Sequence, residues 1–429
     1  MKIRNLLRVS AATFVSLSSL LTINLGIAHA AAVTWTGTSG DHKFSTAGNW
    51  SGNAVPNNGD ALTFPEAATD KTPNNDLTNA SFALIQFSGG TVSTTGYTIT
   101  GNPLTLGNIN DGSTTADGNT LNLNVTASSG SGFFGPNGNP STDVPLTIGD
   151  LSNIGSKTLA VGANSITLRN VIVASAVTGG SSALITTSSG ATDFGVDFEA
   201  NSSGYAGNIH QTTPSNLYLE GQFSAASVLV DTGGTLNGDG GAGTVQIASG
   251  ANLSPGYSST GCITTGHPTI AGTVNIEIDG ATSACTDFDQ ITGITGQVVL
   301  SNPTLNVTLG GSFTPTVGQK FVIINNSFGG SVNGTFSNLA EGTVFSVGSY
   351  KMSISYTGNN QHDVVLTVVD PSTPVGPAGT GSSTTAAPKA PNTGMRLVAA
   401  NPGVSALATL ASLGGIVYIS RRMGLVGHK

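Results

Sequence analysis

The chain has 429 residues, of which only 8% are charged and 59 are glycine; this excludes a small disulfide-stapled scaffold and a bundle of long solvated helices. Hydrophobic residues make up 38% and fall in alternating runs, which excludes a disordered chain. Between the two terminal segments seven basic residues stand against 22 acids, a balance of −15, and nucleic acid is excluded as a partner because phosphate binding needs a cationic surface.

Residues 1–30 begin with Lys2, Arg4 and Arg8, continue through an apolar stretch at 9–27 and end in Ala28-His29-Ala30 before Ala31. A positive region, a greasy region and a small-x-small site predict a secretory signal peptide, with Ala28, Ala30 and Ala31 marking the cleavage site. The alternative is an uncleaved signal anchor. Either way the bulk of the chain leaves the cytoplasm.

Residues 31–80 hold the only two tryptophans, Trp35 and Trp50. Exposed aromatic faces can stack on sugars, but with Phe44 and Phe64 these rings are expected to close the open end of a strand stack, as a β cap. The body is assigned to residues 81–261 and a β-rich C-terminal segment to 262–369. Throughout, apolar residues recur at period two: Val274, Ile276 and Ile278 alternate with Asn275, Glu277 and Asp279, Leu305, Val307 and Leu309 with Asn306 and Thr308, and Met352, Ile354 and Tyr356 repeat the pattern. These are half-buried strands. Gly233-Gly234, Gly238-Asp239-Gly240-Gly241 and Asn359-Asn360 cut them short with residues that tolerate positive φ. Faint self-similarity places Leu236 and Leu253 in equivalent positions of two successive coils, and such repeats must stack to bury a face.

Cys262 and Cys285 are the only cysteines. An even count outside the cytoplasm favours a disulfide, which in the chain-entropy model contributes roughly 3 kcal/mol; two buried thiols and a redox role are the alternatives. Catalytic motifs are lacking. His42, His210, His267 and His362 are far apart in sequence, and Asp287 with Asp289, or Glu277 with Asp279, have a spacing that would suit calcium or glycoside acid/base chemistry but equally suits solvent-facing acids. No cofactor is expected.

Residues 370–390 form a Pro/Ser/Thr-rich stalk with nothing to bury. Residues 391–429 are read as a sorting signal and membrane anchor: an apolar stretch at 397–420 closed by Arg421 and Arg422, which stay on the cytoplasmic face and leave everything before them outside. Ala390, Pro391, Asn392, Thr393 and Gly394, ahead of the apolar segment and basic tail, resemble the LPxTG signal of sortase substrates, with Ala390 in place of Leu. The resemblance implies a sortase-like transpeptidase as partner and cleavage between Thr393 and Gly394.

The run at 205–261, "YAGNIHQTTPSNLYLEGQFSAASVLVDTGGTLNGDGGAGTVQIASGANLSPGYSSTG", resembles the passenger repeats of autotransporter and haemagglutinin-like surface proteins. The stretch at 287–369 is similar to the segment that follows such repeats, and the Trp-containing opening at 34–65 to the motif that begins many of them. The resemblance implies an all-β right-handed parallel β-helix, a solenoid. The autotransporter membrane barrel has no counterpart here, since about 60 residues follow Val369, too few for eight strands. A cell-surface protein, membrane- or wall-anchored in a bacterial envelope, is therefore expected. Its role is read as adhesion or presentation towards a glycan or cell-surface ligand, with a structural coat component and an extracellular polysaccharide-degrading enzyme as alternatives.

Overall fold

The computed structural model describes residues 31–89, 95–112, 117–136, 144–188, 194–212, 214–359 and 362–376. Ala28 and Ala30, the five motif residues Ala390, Pro391, Asn392, Thr393 and Gly394, and Arg421 and Arg422 lie outside them. Among the described residues there is no α-helix, only two short 3₁₀ turns at Ala47–Asn49 and Ser51–Asn53, and no helix is long and apolar enough to cross a membrane.

The period-two pattern becomes strands for a direct reason. In Thr273–Ile278 the side chains of Val274, Ile276 and Ile278 are buried, while Thr273, Asn275 and Glu277 point away from the core. Eleven such strands, from Asn74–Asn75 and Thr98–Gly101 to Thr273–Ile278 and Thr304–Leu309, make one parallel sheet in which spatial order follows chain order. Between successive members the chain crosses to a larger sheet and returns. There Ala80–Ser88 pairs in parallel with Leu104–Gly112, whose two halves continue into separate strands, Val125–Ala127 and Ser131–Pro136. Parallel neighbours need a crossover, and here another strand provides it. The result is an all-β chain with long parallel sheets, a connectivity consistent with a β-solenoid.

Register gives the coil length. Leu217 faces Leu236, Leu236 faces Leu253, and Leu253 faces Val274, so the repeat seen at Leu236 and Leu253 is one turn of the coil. Asn252 and Thr235, hydrogen-bonded neighbours on adjacent coils, are 17 residues apart, whereas Asn275 and Asn306 are 31 apart. The extra residues go into turns outside the strands, which leaves the inward column continuous. Leu217, Leu236, Leu253 and Val274 are fully buried, each contributing about 1.5–3 kcal/mol. The corner after Thr235–Gly238 needs glycine: Gly238 has φ +116°, and a Cβ there would lie 2.2 Å from the Leu219 carbonyl oxygen.

At the N-terminal end of the stack Trp35, Phe44, Trp50 and Phe64 are almost wholly buried in one cluster, with Trp35 and Trp50 edge-to-face at 5.0 Å. Their indole N–H groups donate to the carbonyls of Asp70 and Phe44. With exposures of 0% and 1%, the tryptophans offer no face to a sugar. Parallel pairing runs across residue 261 as far as Asn333–Thr335. Antiparallel strands then take over: Tyr350–Gly358 pairs with both Val344–Val347 and Asp363–Val369, and the last of these folds back on Lys320–Ile324.

Candidate functional site: a polar cleft on the sheet face

The outward column of the eleven-stranded sheet is polar. Tyr218 stands beside Asn237, Asn237 beside Ser254, and Asn275 beside Asn306, each pair in register on adjacent coils. Asn306 Nδ2 donates to Asn275 Oδ1 at 3.1 Å, and Asn237 Nδ2 reaches Asn216 Oδ1 at 3.4 Å. Near the C-terminal end this column opens into a cleft of about 230 Å³, lined among others by Asn237, Ser254, Ser258, Asn275, Glu277 and Asp289. One wall is the turn that follows Asn252–Pro255, held where Gly256 and Gly238 exchange two backbone hydrogen bonds of 2.9 Å.

The cleft is braced by carboxylates and the disulfide. Cys262 and Cys285 are bonded, which ties the 279–289 loop to the strand Cys262–Ile270. Asp289 is 2% exposed; its Oδ1 accepts from the Gly261 N–H and its Oδ2 from the Glu277 N–H, both at 2.8 Å. Burial pushes its carboxyl up to about 7 against those two donors, with Glu277 and Asp239 adding to the rise. Asp239 is also raised by burial, although its Oδ1 accepts from the Cys262 N–H. Glu277 is half-buried and raised, first by burial and then by Asp279; among the described residues no hydrogen bond reaches its carboxylate.

Spacing alone puts Asp287 and Asp289 on one face, but the structure separates them. Asp287 Oδ2 accepts from the Thr282 and Ser283 N–H groups and shapes the exposed turn, while Asp289 lies in the cleft wall. With both oxygens of Asp289 engaged by backbone, the cleft carboxylate open to a ligand is Glu277. Asp279, two residues on, is exposed.

An aromatic wall adjoins the cleft. Tyr218 stacks on Phe194 at 5.0 Å and meets Tyr257 edge-to-face at 4.9 Å. Its hydroxyl is pushed up to about 12, mainly by burial and then by Asp197 and Glu220. Asp197, 1% exposed, occupies the rung beside Tyr218. Sequence reasoning missed this wall because Phe194, Tyr218 and Tyr257 belong to different coils. The available signal was register: once Leu236 is aligned with Leu217, Asn237 falls beside Tyr218.

Among the described residues the histidines do not gather. His42 Nδ1 contacts Asp70 Oδ1 at 2.8 Å and His210 Nε2 contacts Asp231 Oδ2 at 3.0 Å, at separate places on the molecule. Among the described residues no three His, Cys, Asp or Glu side chains are placed to hold a metal ion. No protein-family model matches the chain, and no curated protein is significantly similar to it.

Proposed function

We propose that the chain is an exported surface protein whose body is a right-handed parallel β-helix, and that it adheres by holding a glycan along the polar face of its eleven-stranded sheet. The observation that carries this reading is the outward column of Asn and Ser side chains leading into the cleft at Glu277. Its rungs recur at about 4.8 Å, the parallel-strand spacing and close to the length of one sugar unit. A polysaccharide lying along the coil axis therefore meets one hydrogen-bonding rung per sugar. The autotransporter-like repeats and the envelope anchor supply a context for such contacts.

Export is supported by the Cys262–Cys285 disulfide, which suits an oxidising compartment. Cleavage after Ala30 would turn the 3.0 Å contact between the Ala31 backbone N and Asp60 Oδ1 into an ammonium–carboxylate pair. The sortase-like step at Thr393 and membrane retention through the apolar tail with Arg421 and Arg422 complete the proposed topology. Two measurements test the proposal. Protein released from the envelope by muramidase should have a mass that starts at Ala31 and ends at Thr393. The purified body should bind immobilised polysaccharide and lose binding in Asn237→Ala/Asn275→Ala; no retention on any polysaccharide rejects the adhesive role.

One observation favours a second reading, polysaccharide hydrolysis: Asp289, raised to about 7, stands next to Glu277, the pairing of acid and base that glycosidases use. The Gly261 and Glu277 N–H groups argue against it, since they turn both oxygens of Asp289 towards the backbone. Reducing ends released by the wild-type protein and not by Glu277→Gln would favour the enzyme.

A further inference from the structure

Charge along this part of the chain is one-sided. No Lys or Arg occurs between Arg169 and Lys320, while ten Asp or Glu do. That stretch contains most of the sheet face described above, including the aromatic wall and the cleft. A uronic or sulfated polymer brought to this face would meet acids and no basic side chain of that stretch. Within the cleft, Glu277 is a half-buried carboxylate that receives no hydrogen bond from the described residues and has Asp279 and Asp289 as its acidic neighbours. Holding a charge there without a counter-charge is unfavourable, and a ligand that brings a positive group removes the deficit. Around it Asn237, Ser254 and Asn275 offer amide and hydroxyl groups, which suit sugar hydroxyls.

We propose that the cleft selects an amino sugar whose nitrogen is a free ammonium, with Glu277 as its counter-charge and the Asn and Ser rungs holding the neighbouring hydroxyls. The ligand is thus an unacetylated or partly deacetylated amino-sugar polymer. This rests on the glycan reading above and adds the charge of the sugar. A basic peptide would satisfy Glu277 equally, but it lacks the hydroxyls that the polar rungs are spaced to meet.

The test uses the exported protein and measures binding by calorimetry to four probes: a glucosamine hexamer, its N-acetylated counterpart, a galacturonate hexamer and hexalysine. The expected order is glucosamine about tenfold tighter than N-acetylglucosamine, with galacturonate weakest, a gap typical of one partly desolvated charge pair. In Glu277→Gln the glucosamine preference should fall to near unity, whereas Asn275→Ala should weaken both amino-sugar hexamers and keep the preference. With the unmodified protein, added salt should narrow the gap. Equal binding of the acetylated and free hexamers, or a preference that survives Glu277→Gln, overturns the ammonium assignment while the glycan reading stands. Hexalysine binding as tightly as glucosamine overturns it in favour of a basic peptide. If none of the three sugars binds, the ammonium assignment fails, and retention on immobilised polysaccharide decides the glycan reading separately.

Discussion

At the residue scale the most consequential group is Asp289, because it is both buried and doubly hydrogen-bonded. Its folded carboxyl titrates near 7, above the ordinary value of 3.8. Between those values the folded chain holds a proton that the unfolded chain has lost, so stability is highest below about pH 4 on this account and falls as pH rises towards 7. The slope from one such proton is at most about 1.4 kcal/mol per pH unit. Asp289→Asn should flatten this part of the pH–stability curve measured by denaturant titration. It should also cost about 1–3 kcal/mol, since one of the two N–H groups loses its acceptor. An unchanged slope would mean that Asp289 is ionised in the folded protein. Asp60 gives a second prediction. In protein that begins at Ala31, Asp60→Asn should lower stability by about 1–3 kcal/mol, and by less when upstream residues are still attached and Ala31 N is an amide. Thermal melts of the two forms check this.

At the element scale the strands separate packing from display. Leu236 points inward and is fully buried, and its neighbour Asn237 points into the cleft. Leu236→Ala should cost about 2–5 kcal/mol, the range for cavity-forming core truncations. Asn237→Ala should change stability by about 0.5 kcal/mol or less and act on binding instead. Comparable losses from both would contradict the inward and outward assignment. Much of this was legible beforehand. The alternation at Val274, Ile276 and Ile278, and at Met352, Ile354 and Tyr356, marks the buried faces correctly. In Thr304–Leu309 the same alternation gives only half-buried Leu305, Val307 and Leu309, because this is the last strand of its sheet and nothing of that sheet stacks beyond it. Periodicity could not tell parallel from antiparallel pairing either: Tyr350–Gly358 alternates like the coil strands, yet its partners run the other way.

At the scale of the whole molecule the fold is repetitive, so each coil depends mainly on its neighbours. Leu236 and Leu253 occupy the same position on adjacent coils. Deleting residues 236–252 should therefore join equivalent points, and the protein should keep its β-type circular dichroism and a cooperative melt. Deleting one residue fewer shifts the following strand by one and turns its inward side chains outward; that variant should fail to fold. Failure of both, or survival of both, would be incompatible with register-determined stacking.

What the sequence determined by itself follows from local chemistry. Alternating Val, Ile and Leu require strands with one buried side, Gly and Asn clusters require turns, and an even count of two cysteines suits the disulfide that forms. What only the tertiary structure decided is which distant residues meet. In the eleven-stranded sheet register partners lie 17 to 31 residues apart, with the length differences absorbed in the turns, so no fixed spacing in the chain predicts the column at Tyr218, Asn237 and Ser254. The carboxyl of Asp289 is unusual for the same reason: its neighbours Gly261 and Glu277 are 28 and 12 residues away, and only stacking the coils removes it from water.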